Sequence, residues 1–172
     1  MQFVACTHDA HALAILEILN DAIVSSTALY DYKPRAPQAM VGWFNAKQAG
    51  RFPVIGAIDG GQLLGFASYG TFRAWPAYKY TVEHSVYVHR DHRGKGIGMG
   101  LMKRLIDAAR EQDHHVMVGG IDAANRTSIA LHERLGFTHA GTVRHAGYKF
   151  GRWLDLAFYQ LLLETPARPV EG

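Results

Sequence analysis

Apolar residues recur every three to four positions over residues 9–24 (DAHALAILEILNDAIV), putting Leu13, Leu16, Leu19 and Ile23 on one face. That spacing predicts a helix, with Asp9 as its N-cap. A polar stretch with prolines, 25–37, breaks it. A second helix follows over 38–49, with Met40, Val41, Trp43 and Phe44 as its apolar face. The pattern then turns extended. Residues 2–6 are strand-like, 53–59 and 62–69 flank the two-residue turn Gly60-Gly61 as a hairpin, and 80–88 is a further strong strand. Beyond it the chain alternates: helix 96–111, strand 115–121, helix 125–135 stopped by Gly136, and strands 137–143 and 154–163. The tail, 165–172, carries two prolines and no periodicity, which predicts a frayed end. No repeat or linker interrupts the pattern. Residues 1–164 therefore read as a single mixed α/β domain.

Composition narrows the class. The chain has 172 residues, 48% hydrophobic and 19% charged, as expected of a globular domain with a real core. No apolar run is long enough for a bilayer and no signal-peptide pattern opens the chain, which argues against a membrane partner. One cysteine, Cys6, excludes an internal disulfide and suits a reducing cytoplasm. Lysine and arginine number 18 against 15 acidic residues, a net charge of +3 spread along the chain. That bias is too small and too dispersed to argue for nucleic acid, but it suits a small anionic ligand. His89, His92, His114 and His115 form no recognised ligand set, so no metal is expected.

The chemistry concentrates in EHSVYVHRDHRGKGIGMGLMKRLIDAAR, residues 83–110. A strand with one carboxylate, Glu83, ends at a basic glycine turn that opens a helix. Glycines let a backbone approach a phosphate, and N–H groups at a helix start point outward toward it. Arg93 and Lys95 add charge. The turn lacks the Gly-Lys-Ser/Thr ending of the Walker loop, and Gly94 begins only a near match to GxGxxG. Taken alone, it equally suits an ordinary glycine-rich helix start. Taken alone, Glu83 reads as a surface carboxylate on a half-exposed strand.

Two blocks change the balance. Arg93-x-x-Gly96-x-Gly98 after a strand resembles the acetyl-CoA pyrophosphate loop of the GNAT acetyltransferase superfamily. NRTSIALHERLGF, residues 125–137, resembles its second block. TVEHSVYV (81–88), LHERLGF (131–137) and KFGRWLDL (149–156) further resemble the phosphinothricin and methionine sulfoximine N-acetyltransferases. TALYDY (27–32) and ASYGTFR (67–73) resemble that family's substrate-side segments. Departures lie on the same side: Tyr30 stands where tryptophan is frequent, and Lys79 where many relatives carry arginine.

The resemblance implies the GNAT fold, a mixed and mostly antiparallel sheet flanked by about four helices. It implies acetyl-CoA as co-substrate, with no metal, and direct attack by an amine within a ternary complex. Glu83 becomes the base, acting directly or through water, and His132 the acid or second base. Val86, Tyr87 and Val88 would pair through their backbone with the pantetheine arm. Arg93, Gly94, Lys95, Gly96, Ile97, Gly98 and Met99 would hold the pyrophosphate, and Asn125 and Ser128 would bond the arm or order water. Arg73, among Phe72, Tyr78 and other aromatics, suits the carboxylate of a small amino acid. Lys79 and Lys149 are further oxyanion partners, and Tyr30 a pocket wall. Trp75 and Tyr80 read as core aromatics. A homodimer is implied, with the segment after Lys149 near its interface. A peptide N-acetyltransferase and a non-catalytic acyl-CoA-binding module are the alternative readings.

Overall fold

In the computed structural model, which describes residues 1–171, seven strands and four α-helices form in the order read from the sequence. They are β1 (Gln2–Ala5), α1 (His8–Ser25), α2 (Ala39–Ala49), β2 (Val54–Asp59), β3 (Gln62–Thr71), β4 (Thr81–Val88), α3 (Ile97–Glu111), β5 (Val116–Asp122), α4 (Arg126–Arg134), β6 (Thr138–Lys149) and β7 (Arg152–Leu162). The strand order in the sheet is β1-β2-β3-β4-β5-β7-β6. The pairs β1–β2, β2–β3, β5–β7 and β6–β7 are antiparallel, whereas β4 and β5 run parallel. No helix among the described residues is long and apolar enough to cross a membrane.

The chain divides into two compact units. The first comprises Met1–Ser68 and Ser85–Leu105; the second comprises Tyr69–His84 and the chain from Ile106 onward. In the first, Ile15, Leu16, Ile18 and Leu19 of α1 join Met40, Val54, Leu63 and Phe66 in a buried cluster, with Trp43 and Phe44 packed at its margin. Leu16, Leu19 and Ile23 are buried on the expected face of α1, but Leu13 is 72% exposed, and Ala12 and Ile15 complete the buried face instead. Alanine and isoleucine satisfy the helical spacing as well as leucine does, so the periodicity alone did not say which residues complete the face. Thr7, not Asp9, caps the helix, its hydroxyl accepting from the Ala10 N–H. Val41 of α2 is exposed while Met40 is buried.

In the second unit, Val82, Met117, Ile129, Phe137, Leu154, Ala157 and Tyr159 are buried. The last two strands are longer than their sequence suggests and meet at Phe150-Gly151. Both residues have positive φ, 52° and 73°, as a two-residue hairpin turn requires. β6 lies at the edge of the sheet, is exposed along nearly its whole length and is interrupted by two register shifts, so it carries no alternation to read. The described part of the tail, residues 165–171, bonds to the second unit, and Gly172 lies outside the described residues. The Tyr80 hydroxyl accepts from the Val170 N–H at 3.0 Å and donates to its carbonyl at 3.2 Å, and the Thr165 carbonyl lies 2.8 Å from His115 Nδ1. Its main-chain groups bond to the side chains of Tyr80 and His115, and such bonds leave no hydrophobic pattern in the tail.

Candidate active site

Successive residues of a strand face opposite sides, and the double glycine of β5 shows what lies on each. A Cβ placed on Gly119 would stand 2.6 Å from His84 Nε2 and 3.4 Å from His132 Nε2. A Cβ on Gly120 would meet Leu156 Cδ1 at 3.1 Å, Glu83 Oε1 at 3.4 Å and Phe158 Cε1 at 3.7 Å. Glu83, which pairs in register with Val118, therefore lies on the Gly120 side of the sheet, while His84 lies over Gly119 on the other face. Glu83 is half-buried, and that burial raises its carboxyl above the ordinary carboxylate range. Gly120 itself is exposed, so a solvent-accessible floor without a side chain borders the carboxylate.

The resemblance makes His132 an acid or second base. It faces His84 and is 1% exposed. Its Nδ1 lies 2.6 Å from the Ser128 carbonyl and its Nε2 lies 3.1 Å from His84 Nε2. Asn125 caps α4, its side-chain oxygen accepting from the Ser128 N–H at 3.1 Å. The expected cluster of Asn125, Ser128 and His132 is thus assembled on one helix, with its imidazole turned toward the interior.

The glycine turn belongs to the first unit. Gly94 and Gly96 both have φ of 76°, a conformation that side chains resist, and a Cβ at either would meet nothing within 4 Å. α3 starts at Ile97, and helix geometry leaves the first N–H groups, of Ile97, Gly98 and Met99, without an acceptor inside the helix. Arg93 donates from Nε to the Val88 carbonyl at 3.2 Å and lies 3.6 Å from Asp21, which also binds Arg90 at 3.0 Å. Lys95 leans over the turn, 3.4 Å from the Asp91 carbonyl. Open glycines, a helix N-terminus and two cations fit a pyrophosphate. Val86, Tyr87 and Val88 are half-buried on β4, and Tyr30, exposed, lies in the loop before α2.

The remaining substrate candidates are in the second unit. Phe72 and Tyr78 pack edge to face at 5.8 Å, and the Arg73 guanidinium lies 5.6 Å from the Phe72 ring centre. Arg73 and Lys79 are exposed; Lys79 stands 5.1 Å over the Tyr80 ring. Lys149, at the end of β6, is 5% exposed, with its ammonium 5.0 Å from the Phe150 ring centre. Trp75 is not a core residue: it is 66% exposed on the loop between β3 and β4. Among the described residues no group of three or more His, Cys, Asp or Glu could hold a metal ion.

The sequence assigns no site role to Gly119, Gly120, His84 or Asp21, although alternation along β4 already turns His84 away from Glu83. The one available signal was Gly119-Gly120 inside a strand pattern, since interior strand glycines mark close approach by another group.

Residues 14–137 match the acetyltransferase (GNAT) family. The chain belongs to that family. It is 44% identical over 160 residues to the L-methionine sulfoximine/L-methionine sulfone acetyltransferase of Salmonella typhimurium, covering 93% of this chain and 94% of that one. It is 37% identical over 160 residues to the phosphinothricin N-acetyltransferase of Streptomyces viridochromogenes, covering 93% and 87%. Among solved structures, an acetyltransferase of Salmonella typhimurium with its cofactor acetyl-CoA superposes with a TM-score of 0.95 at 42% identity, covering 100% and 99%. As a GNAT acetyltransferase the protein uses acetyl-CoA.

Proposed function

We propose that this enzyme acetylates the α-amino group of a small free amino acid or analogue, of the class of methionine sulfoximine, methionine sulfone and phosphinothricin. The observation that carries the reading is the half-buried Glu83 carboxylate, its proton affinity raised by burial, beside the exposed Gly120 of β5, which offers no side chain to crowd it. An ammonium has no lone pair, so the amine must lose a proton before it attacks. A base with a pKa nearer the working pH removes that proton more effectively. Glu83 takes it, directly or through one water. The amine nitrogen bonds the acetyl carbon, the carbon–sulfur bond breaks, and the thiolate leaves to be protonated. Backbone N–H groups of Val86–Val88 polarise the carbonyl. Arg93, Lys95 and the start of α3 hold the pyrophosphate, and Asn125 and Ser128 the pantetheine arm. Arg73 reads the substrate carboxylate, with Lys79 and Lys149 as further oxyanion partners and Phe72, Tyr78 and Tyr30 as walls.

The names of the relatives support this class of substrate. A thiol-release assay with acetyl-CoA across free amino acids, methionine sulfone, methionine sulfoximine and phosphinothricin tests it. Turnover on free amino acids above that on amidated peptides is expected. Preference for peptides would overturn it, and no turnover with any amine would leave an acyl-CoA-binding module.

We further read the protein as a cytoplasmic homodimer. Its one thiol suits a reducing compartment. The exposed aromatics Tyr148, Phe150 and Trp153, at the hairpin of edge strand β6, suit a second copy. Trp153→Asp should shift the protein toward monomer in analytical ultracentrifugation; an unchanged mass would exclude this surface.

A further inference from the structure

Acetyl transfer as proposed above leaves unexplained a pair of imidazoles buried behind the base. His84 follows Glu83 on β4 and lies on the opposite face; His132 reaches it from α4. The rings are nearly parallel, 20° apart with centres 4.9 Å from one another, and the edge of Phe137 closes against both. Gly119 is the residue that makes room, since any side chain there would collide with His84 Nε2.

The proton positions follow from the partners. A carbonyl only accepts, so His132 Nδ1 carries a proton and donates it to Ser128. Burial holds both rings neutral, pushing His84 down to about 3 and His132 below its ordinary value. A neutral His132 protonated on Nδ1 has a bare Nε2. The 3.1 Å contact between the two Nε2 atoms then requires that His84 be the donor. The chain of bonds runs one way, from His84 to His132 to the Ser128 carbonyl, and it leaves buried His84 Nδ1 as a lone pair without a hydrogen-bond partner. In this arrangement His132 has no nitrogen left for a proton of the substrate or of the leaving thiol.

We infer that His84 and His132 are a positioning pair, a fixed relay of two hydrogen bonds that locks α4 to β4 directly behind Glu83, and that neither ring exchanges a proton during the reaction. Ser128 and the Asn125 cap lie at the start of α4, where the reading above puts the pantetheine arm. Glu83 is the next residue along β4. The pair therefore holds the register between the segment that binds the acetyl donor and the base.

The test has two arms. Two-bond proton–nitrogen spectra of the ¹⁵N-labelled enzyme report tautomers without reference to any substrate, so they stand even if the substrate assignment fails. His132 is expected as the neutral Nδ1–H form and His84 as the neutral Nε2–H form from about pH 6 to about pH 9, a range that spans the ordinary histidine pKa. A proton on His132 Nε2, or a change of charge in either ring over that range, overturns the proposal. In the kinetic arm, His84→Leu and His132→Leu should each lower kcat by about ten- to a hundred-fold, the effect of a small misplacement of reacting groups. The double variant should fall little further than either one. His132→Gln cannot relay a proton as imidazole does, but its Oε1 can accept from His84; it should recover most of the loss. A glutamine variant as slow as the leucine variant would make His132 a proton-transfer group and overturn the inference.

Discussion

Glu83 owes its chemistry to a neighbourhood of three residues. Burial removes water from its carboxylate, and Gly120 of β5 lacks the side chain that would crowd it. Glu83→Gln keeps the size and loses the base, so kcat should fall by about 10²–10⁴-fold. The raised pKa fixes the sign of the pH dependence: the active carboxylate form accumulates as pH rises through that pKa, so wild-type kcat climbs on that limb. The limb should vanish in the variant, and the deficit should shrink at high pH, where free amine exists without a base. An unchanged kcat at neutral pH would remove Glu83 from the mechanism. Arg73 is a second residue whose role can be isolated. Loss of a charge-assisted hydrogen bond costs roughly 1.5–3 kcal/mol, so Arg73→Ala should cost about ten- to a hundred-fold in kcat/KM on a substrate with a free carboxylate. The same variant should cost far less on the carboxamide, and the loss should fall mainly in KM. Equal losses on methionine sulfone and its amide would show that Arg73 does not read the carboxylate.

Among the elements, the turn before α3 is the part most dependent on its backbone. Gly94 and Gly96 each hold φ near 76° in open space, so crowding against the protein does not explain them; the conformation itself requires glycine. Gly96→Val imposes strain of about 1–3 kcal/mol on this turn and sets a branched side chain where the phosphates approach. Calorimetry should show acetyl-CoA binding weakened at least about ten-fold. Equal affinity would separate this turn from the pyrophosphate. Asp21 of α1 contributes from outside the motif by holding Arg90 and Arg93, a support the loop sequence cannot reveal.

For the whole molecule, the buried imidazoles predict a pH dependence of stability. The pKa of His84 is depressed in the folded state, from the ordinary 6.5 to about 3. Above 6.5 the ring is neutral folded or unfolded, and the stability of the neutral pair is fully present. As pH falls from 6.5 toward about 3, the unfolded chain takes up a proton that the folded one refuses, and stability is lost. His132, shifted in the same direction, adds to the loss. Urea titrations across that window should show stability falling steadily, and the fall should be shallower in His84→Leu. Parallel slopes in the two proteins would mean that His84 is hydrated, and not buried, in solution.

The sequence by itself determined the order of helices and strands, the glycine turn and the carboxylate. Each depends on local periodicity or on the backbone freedom of a few adjacent residues. The extent of β6, the place of the tail and the exposure of Leu13 on α1 were decided by tertiary structure. An edge strand with no buried face has no alternation, a segment tied by main-chain bonds has no side-chain signature, and alanine can stand in a core as well as leucine. The partner of His132 is the sharpest case. The spacing of Asn125, Ser128 and His132 put all three on one helix, and they are there. Which strand residue that helix faces depends on the parallel register of β4 with β5, and on Gly119 leaving room behind the sheet. Those are relations between residues 35 or more positions apart, and only packing brings them together.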